Sequence, residues 1–220
     1  MREATKQLAA QIIPRNSSTW HMLQSAYYTP RNTVRGIYRR ITKNSIFFDE
    51  QELGMASLVP FKKIDRTIAM FAPKTILDLG CGVGKSLDYM FDKGIKVEGV
   101  EGSELAIRRA NHSDLITRFN LNNELNLGRK FDLLWCFEVA EHIHPVYVDN
   151  LMKTLTNHAD RIVMSAARPG QGGEGHFNEQ LPEYWIEKFI ARGFKYDEDS
   201  TQILRSIDEM FSPNMLVFHA

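Results

Sequence analysis

Glu138, Glu141 and His142 stand at i, i+3 and i+4 in the stretch Phe137-Glu138-Val139-Ala140-Glu141-His142. A helical turn over 138–143 would project all three from one face. Two carboxylates and an imidazole sharing a face repel unless something positive sits among them, and a divalent cation does that. Oxygen, oxygen and nitrogen ligands with open positions suit Mg²⁺, Mn²⁺ or Fe²⁺ better than structural zinc. His144, just before Pro145, reads as a loop histidine or as a base. His112, His158 and His219 carry no pairing signal and read as surface or satisfied positions, whereas His21 lies in a basic segment and reads as a substrate contact.

Upstream, Leu77-Asp78-Leu79-Gly80-Cys81-Gly82-Val83-Gly84 sets three glycines directly after a short apolar run. Such glycines let the backbone turn tightly and approach a ligand at the positive end of the next helix. Two phosphate-binding patterns miss by one residue. A dinucleotide fingerprint needs glycine where Lys85 stands, and a P-loop ending at Gly84-Lys85-Ser86 needs glycine where Leu79 stands. A turn shaped only for helix–strand packing is the plain alternative.

The GxGxG turn preceded by an acidic residue resembles motif I of the Rossmann-like (class I) S-adenosylmethionine-dependent methyltransferases. The resemblance implies that Asp78 receives the cationic amino-acid end of the cofactor. Val97-Glu98-Gly99-Val100-Glu101 then puts a carboxylate at a strand end, ~20 residues past the loop, where ribose hydroxyls need an acceptor. Asn120 ends the third strand, where this superfamily often has an Asp; its amide oxygen can still accept from the adenine amino group. The cofactor set is completed by Gly80, Cys81, Gly82, Gly84, Gly102, Ser103, Leu121 and Phe137. The resemblance runs over roughly residues 70–165.

The ExxEH pattern is similar to the metal-binding stretch of small-RNA 2′-O-methyltransferases and of ubiquinone-pathway O-methyltransferases. That likeness implies a fourth ligand from a later loop, here His176, beside Glu138, Glu141 and His142. Glu141, His142 and His176 are the catalytic candidates, either around Mg²⁺ or Mn²⁺ or with a histidine as simple base. A Glu-His pair after this strand also occurs in methyltransferases without metal, where it packs or hydrogen-bonds locally.

These residues need a frame. Phe61, Ile64, Ile68 and Phe71 recur at helical spacing before Pro73, and from there strands and helices alternate. The expected strands are 75–79, 95–100, 116–121, 131–137, 161–167, 194–197 and 215–219; helices are expected over 85–92, 103–110, 146–158 and 182–192. That rhythm predicts an α/β fold with a doubly wound, mostly parallel seven-stranded sheet over residues 51–220, its ligand sites at the carboxyl ends of the strands. Residues 1–50 break the rhythm. They hold Trp20, Tyr27, Tyr28, Tyr38, Phe47 and Phe48 among basic residues and read as an N-terminal helical cap.

Twenty-seven basic residues balance twenty-seven acidic ones, so no whole-chain field points to nucleic acid or membrane. The balance hides a split: residues 1–43 hold eight Lys/Arg against Glu3 alone. Cys81 and Cys136 make neither a disulfide framework nor a zinc module. No apolar run reaches the ~18 residues of a membrane span, and Met1 to Asn16 lacks a secretory pattern. The expectation is a soluble cytoplasmic protein, monomer or homodimer.

The loop 168–180, with Gly175-His176-Phe177-Asn178-Glu179-Gln180 leading to Tyr184-Trp185-Ile186, looks like methyltransferases encoded among polysaccharide and glycan biosynthesis genes. Tyr184 and Trp185 read either as a sugar-stacking pair or as core. The expected acceptor is a hydroxyl of a sugar, glycan or other small molecule. RNA 2′-O-methylation is the alternative that the basic N-terminal segment favours, with catechol- or quinone-type acceptors as another. A non-catalytic cofactor-binding subunit is the reading from a different class.

Overall fold

The computed structural model describes residues 58–220. The expected N-terminal cap and His21 lie outside the described residues. Helix α1 (Phe61–Phe71) presents Ile64 inward, and Ala72 turns left-handed (φ 43°) to donate its N–H to Ile68 before Pro73 ends the helix. Seven strands follow: β1 (Thr75–Leu79), β2 (Lys96–Glu101), β3 (Ile116–Arg118), β4 (Leu133–Cys136), β5 (Arg161–Ser165), β6 (Lys195–Tyr196) and β7 (Met215–His219). They form one sheet in the order 3-2-1-4-5-7-6, parallel except for β7, which runs antiparallel to both β5 and β6.

Period-2 alternation sends successive side chains to opposite faces, and both faces are covered by helices. Leu77, Leu79, Leu134, Cys136, Ile162 and Met164 pack against α4 (Val148–His158) and α5 (Pro182–Ile190) through Leu151, Met152, Leu155, Trp185 and Phe189. Ile76, Leu133, Trp135, Val163, Met215 and Val217 pack against α1, α2 (Lys85–Asp92) and α6 (Glu198–Arg205) through Ile64, Leu87, Met90 and Leu204. The sheet is therefore doubly wound and mostly parallel, as the alternation predicts. Trp185 is fully buried, so of its two readings the structure supports core.

Strand order reverses between β1 and β4. In open α/β sheets the crevice beyond such a reversal is where ligands bind. The glycine turn leaves β1 there, and the Glu138–His142 stretch leaves β4 beside it.

Two local expectations are corrected, and one helix is added that the sequence reading does not contain. β3 stops at Arg118, so Asn120 and Leu121 lie beyond it; the Asn120 side-chain oxygen accepts the Asn122 N–H at 3.0 Å where the chain enters a turn. The 138–143 segment is not a helical turn: Glu138 is left-handed at φ 53°, and only Ala140–His142 form a 3₁₀ turn. Residues after Asp197 form helix α6, capped by the Asp197 carboxylate, which accepts the Ser200 N–H at 3.0 Å.

The short helix α3 (Glu104–Arg109) starts where Ser103 accepts the Ala106 N–H at 3.2 Å. His158, at the end of α4, is buried and satisfied at both nitrogens: Nδ1 meets the Thr154 carbonyl at 2.6 Å and Nε2 accepts the Leu127 N–H at 2.9 Å. His158→Leu strands that N–H in the interior and is expected to cost ~1–3 kcal/mol in urea unfolding. An unchanged midpoint would mean that water replaces the imidazole.

Candidate active site

Gly80, Gly82 and Gly84 all lie in the left-handed region (φ 76°, 57° and 74°). Gly80 has a second constraint: a Cβ there would sit 2.4 Å from the Val139 side chain, so the turn and the post-β4 segment touch only because it is glycine. The Gly80 and Cys81 N–H groups donate to the Val100 carbonyl at 2.8 and 3.1 Å, tying the turn to β2. Cys81 Sγ fills the space above Gly99, where a Cβ would approach it to 2.8 Å. Burial, then the charges of Asp78 and Glu101, push its thiol well up, so it packs as a neutral group.

Glu101, at the end of β2, is the keystone of this half. One carboxylate oxygen accepts the Gly82 N–H at 2.9 Å and the other the Ser103 N–H at 2.7 Å. Burial raises its pKa, and the amides of Ser103, Gly82 and Gly102 oppose that. Asp78 is buried in β1, and its Oδ2 has no hydrogen-bond partner. Burial, then the Glu101 charge, push its pKa up to about 8. Two buried carboxylates without a cationic partner among the described residues favour a ligand carrying positive charge and hydroxyl donors. Phe137, beyond β4, stacks on Trp135 (5.8 Å, 10°) and meets Phe211 edge-on (6.0 Å). Leu121 is buried in the core cluster on the sheet's other face.

The second half follows β4. Glu141 is fully buried and neither carboxylate oxygen closes a hydrogen bond. Burial, then the Glu138 charge, drive its pKa well up, outweighing the main-chain amides of Glu141 and Ala167 that face it. His142 and His176 pack edge-on, ring centres 4.8 Å apart, and one ligand atom from each of Glu141, His142 and His176 lies within 4.8 Å of the others. Loop 168–180 brings His176 there: the Phe177 and Asn178 N–H groups both donate to the Glu141 carbonyl, at 2.9 and 3.0 Å. His142 Nδ1 faces the Gly175 carbonyl at 3.2 Å.

Glu138 is brought near but not into that trio. Its N–H donates to Ser165 Oγ at 2.8 Å. Its carboxylate accepts from Asn214 Nδ2 at 3.0 and 3.2 Å and from Gln171 Nε2 at 3.0 Å. Ser165, Gln171, Glu179 and Asn214 are the site residues that sequence reasoning misses. His144 lies alongside, its ring near those of Tyr147 and Phe177.

A family model described as "Methyltransferase domain" matches residues 55–165, half of the chain. The chain belongs to the methyltransferase-domain family. It is an S-adenosylmethionine-dependent methyltransferase. A search of curated proteins finds no match. Solved structures share the fold at low identity. The sugar N-methyltransferase KedS8 from Streptoalloteichus sp. ATCC 53650 is 13% identical, with TM-score 0.59, covering 72% of this chain and 85% of its own. Magnesium protoporphyrin IX methyltransferase (ChlM) from Synechocystis PCC 6803, solved with bound S-adenosylhomocysteine, is 17% identical, with TM-score 0.56 and coverage of 90% and 99%. The methyltransferase domain of bacterial CtHen1 is 18% identical, with TM-score 0.54 and coverage of 73% and 97%. No described helix of the methyltransferase is long and apolar enough to cross a membrane.

The methyltransferase's cofactor fits the first half of the site on chemical grounds. It carries an ammonium, a sulfonium and a ribose diol, and the orphaned Asp78 oxygen and the Glu101 carboxylate are suited to a cation and to hydroxyl donors. The second half has the donor set of a divalent-cation site. Its buried carboxylate lacks the partner that burial calls for.

Proposed function

We propose that the methyltransferase transfers a methyl group to a hydroxyl of a sugar or glycan, with a divalent cation, Mg²⁺ or Mn²⁺, held by Glu141, His142 and His176 and faced by Glu138. The observation that carries this reading is the buried Glu141 carboxylate, unsatisfied and beside two imidazoles. A sugar hydroxyl is a very weak acid, so transfer at neutral pH needs a base, a metal, or both. When bound, the cation lowers the pKa of a coordinated hydroxyl and offsets the paired carboxylates. Glu141, His142 and His176 would hold the cation against the acceptor oxygen, whose proton would leave to water; without the cation, one of the histidines takes that proton. Asp78, the glycine turn with Cys81, Glu101, Gly102, Ser103, Asn120, Leu121 and Phe137 seat the cofactor, which supplies an activated methyl. In-line orientation contributes much of the remaining acceleration. A sugar acceptor is the printed property of KedS8 among the fold's neighbours.

The test is transfer of labelled methyl to a panel of monosaccharides, glycans, catechols and RNA. Label in an ether on a sugar is the expected product. Label on an amine overturns O-methylation, and label on RNA establishes the second reading, which the excess of seven positive charges over residues 1–43 favours.

Glu101→Ala is expected to weaken S-adenosylhomocysteine binding by ~1.5–3 kcal/mol, the cost of losing a charge-assisted acceptor. Glu101→Gln keeps one acceptor and is expected to fall between the two. Calorimetry with equal affinities in all three folded proteins would remove Glu101 from the cofactor site.

A further inference from the structure

Three donors from one loop converge on a single carboxylate. Glu179 Oε1 accepts the Gly172 N–H at 2.7 Å and meets His176 Nδ1 at 2.8 Å, while Oε2 accepts the Gly170 N–H at 2.9 Å. Gly170, Gly172 and Gly175 are all left-handed (φ 87°, 70° and 78°), so the loop wraps around Glu179 in a conformation that other residues rarely adopt. Gly173 lies over the face of the same imidazole: a Cβ there would come within 2.2 Å of His176 Nε2, 2.4 Å of Cε1 and 2.6 Å of Cδ2. The ring is thus held by a carboxylate at Nδ1 and by bare backbone against its face at Nε2. At its start the loop also holds Glu138, through Gln171 Nε2 at 3.0 Å.

We infer that Glu179 is the positioning residue of the site, a carboxylate that fixes the tautomer and ring orientation of His176 and thereby sets the cation affinity of the Glu141–His142–His176 cluster. This rests on the proposed cation reading for its affinity half, whereas the tautomer half does not. A carboxylate at Nδ1 keeps the proton on that nitrogen and leaves the lone pair at Nε2, and such outer partners are typically worth about 10–100-fold in metal affinity. The chain spacing agrees: His176 and Glu179 are three residues apart, yet the loop is not helical, so the pair forms only because the glycines turn the chain. Contact with His176, then the Gly170 and Gly172 amides, hold the Glu179 carboxyl below the usual carboxylate range.

The test uses the full chain after exhaustive chelation, with Mn²⁺ as probe. In the metal-free protein, ¹⁵N spectra of the imidazoles are expected to show His176 locked with its proton on Nδ1, and Glu179→Ala is expected to return it to a tautomer mixture. Calorimetry is expected to show Mn²⁺ binding about 10–100-fold weaker in Glu179→Ala, with S-adenosylhomocysteine affinity within about twofold of wild type. Glu179→Gln retains one acceptor, is expected to keep the tautomer, and carries the test if the alanine variant does not fold. Gly173→Ala displaces the ring without touching Glu179 and is expected to weaken Mn²⁺ as well. A wild-type His176 without tautomer preference overturns the inference, as does a folded Glu179→Ala protein whose tautomer is unchanged. Absence of Mn²⁺ binding in wild type sinks the cation reading and leaves the tautomer result to decide the role of Glu179.

Discussion

Glu141→Gln is expected to lower methyl transfer by on the order of a hundredfold or more while leaving the cation-free domain at least as stable as wild type. The two effects share one cause. Glu141 is fully buried with both oxygens unsatisfied, and burial and the Glu138 charge drive its pKa well up. Above the unfolded carboxyl range the native domain therefore works against ionisation of this group. A neutral amide of the same shape relieves that opposition, and its NH₂ can donate toward the Glu138 carboxylate. The same change removes the one fully buried carboxylate of the cluster. Urea unfolding and turnover on the same preparation check both halves. A folded variant with normal turnover would take Glu141 out of the chemistry, and a large loss of stability would make it a structural residue.

Binding of S-adenosylhomocysteine at pH 7 is expected to release close to one proton. Asp78 has a pKa pushed up to about 8, so at pH 7 it is roughly nine-tenths protonated in the free protein. Pairing with the ligand's ammonium requires the ionised form. The free domain follows the matching linkage: Asp78 titrates near 3.8 when unfolded and near 8 when folded, so between those values the native state binds the extra proton. Stability is then expected to fall as pH rises from about 4 to about 8, by at most ~1.4 kcal/mol per unit from this group. The raised carboxyls of Glu101 and Glu141 add in the same direction. Asp132, held low by the Lys74 and Thr75 amides, works oppositely, contributing stability above the unfolded range that is lost in stronger acid. Asp78→Asn is expected to flatten the slope, abolish proton release and weaken binding by ~2–5 kcal/mol. Calorimetry in buffers of differing ionisation heat measures the proton count; a count near zero would mean that Asp78 is already charged or does not meet the ammonium.

Much of the frame is legible in the residues because it rests on local rules. Strand β1 running into three glycines, the carboxylate closing β2 and the Ser103 cap are periodicity and turn chemistry, and each stands where the pattern places it. The misses have a different physical origin. A left-handed glutamate at 138 is not readable from its neighbours, because it is held by Ser165 and by Asn214, the latter 76 residues away. Helix α6 carries a legible start, Asp197 followed by Glu198 and Asp199, but it buries only Ser200, Thr201 and Leu204, too faint an apolar stripe to announce it. Loop 168–180 shows its glycines in sequence. That they exist to fold Glu179 under His176 appears only once the donors converge.

The most direct measurement is the rate of methyl transfer to the sugar acceptor found in the panel, taken after exhaustive chelation and again after Mg²⁺ or Mn²⁺ is restored. Loss of turnover on chelation and its recovery on add-back is the expected result, with S-adenosylhomocysteine affinity unchanged throughout. A rate that chelation leaves intact, while His142→Ala or His176→Ala still lowers it, would contradict cation-assisted O-methylation and assign the proton to a histidine alone.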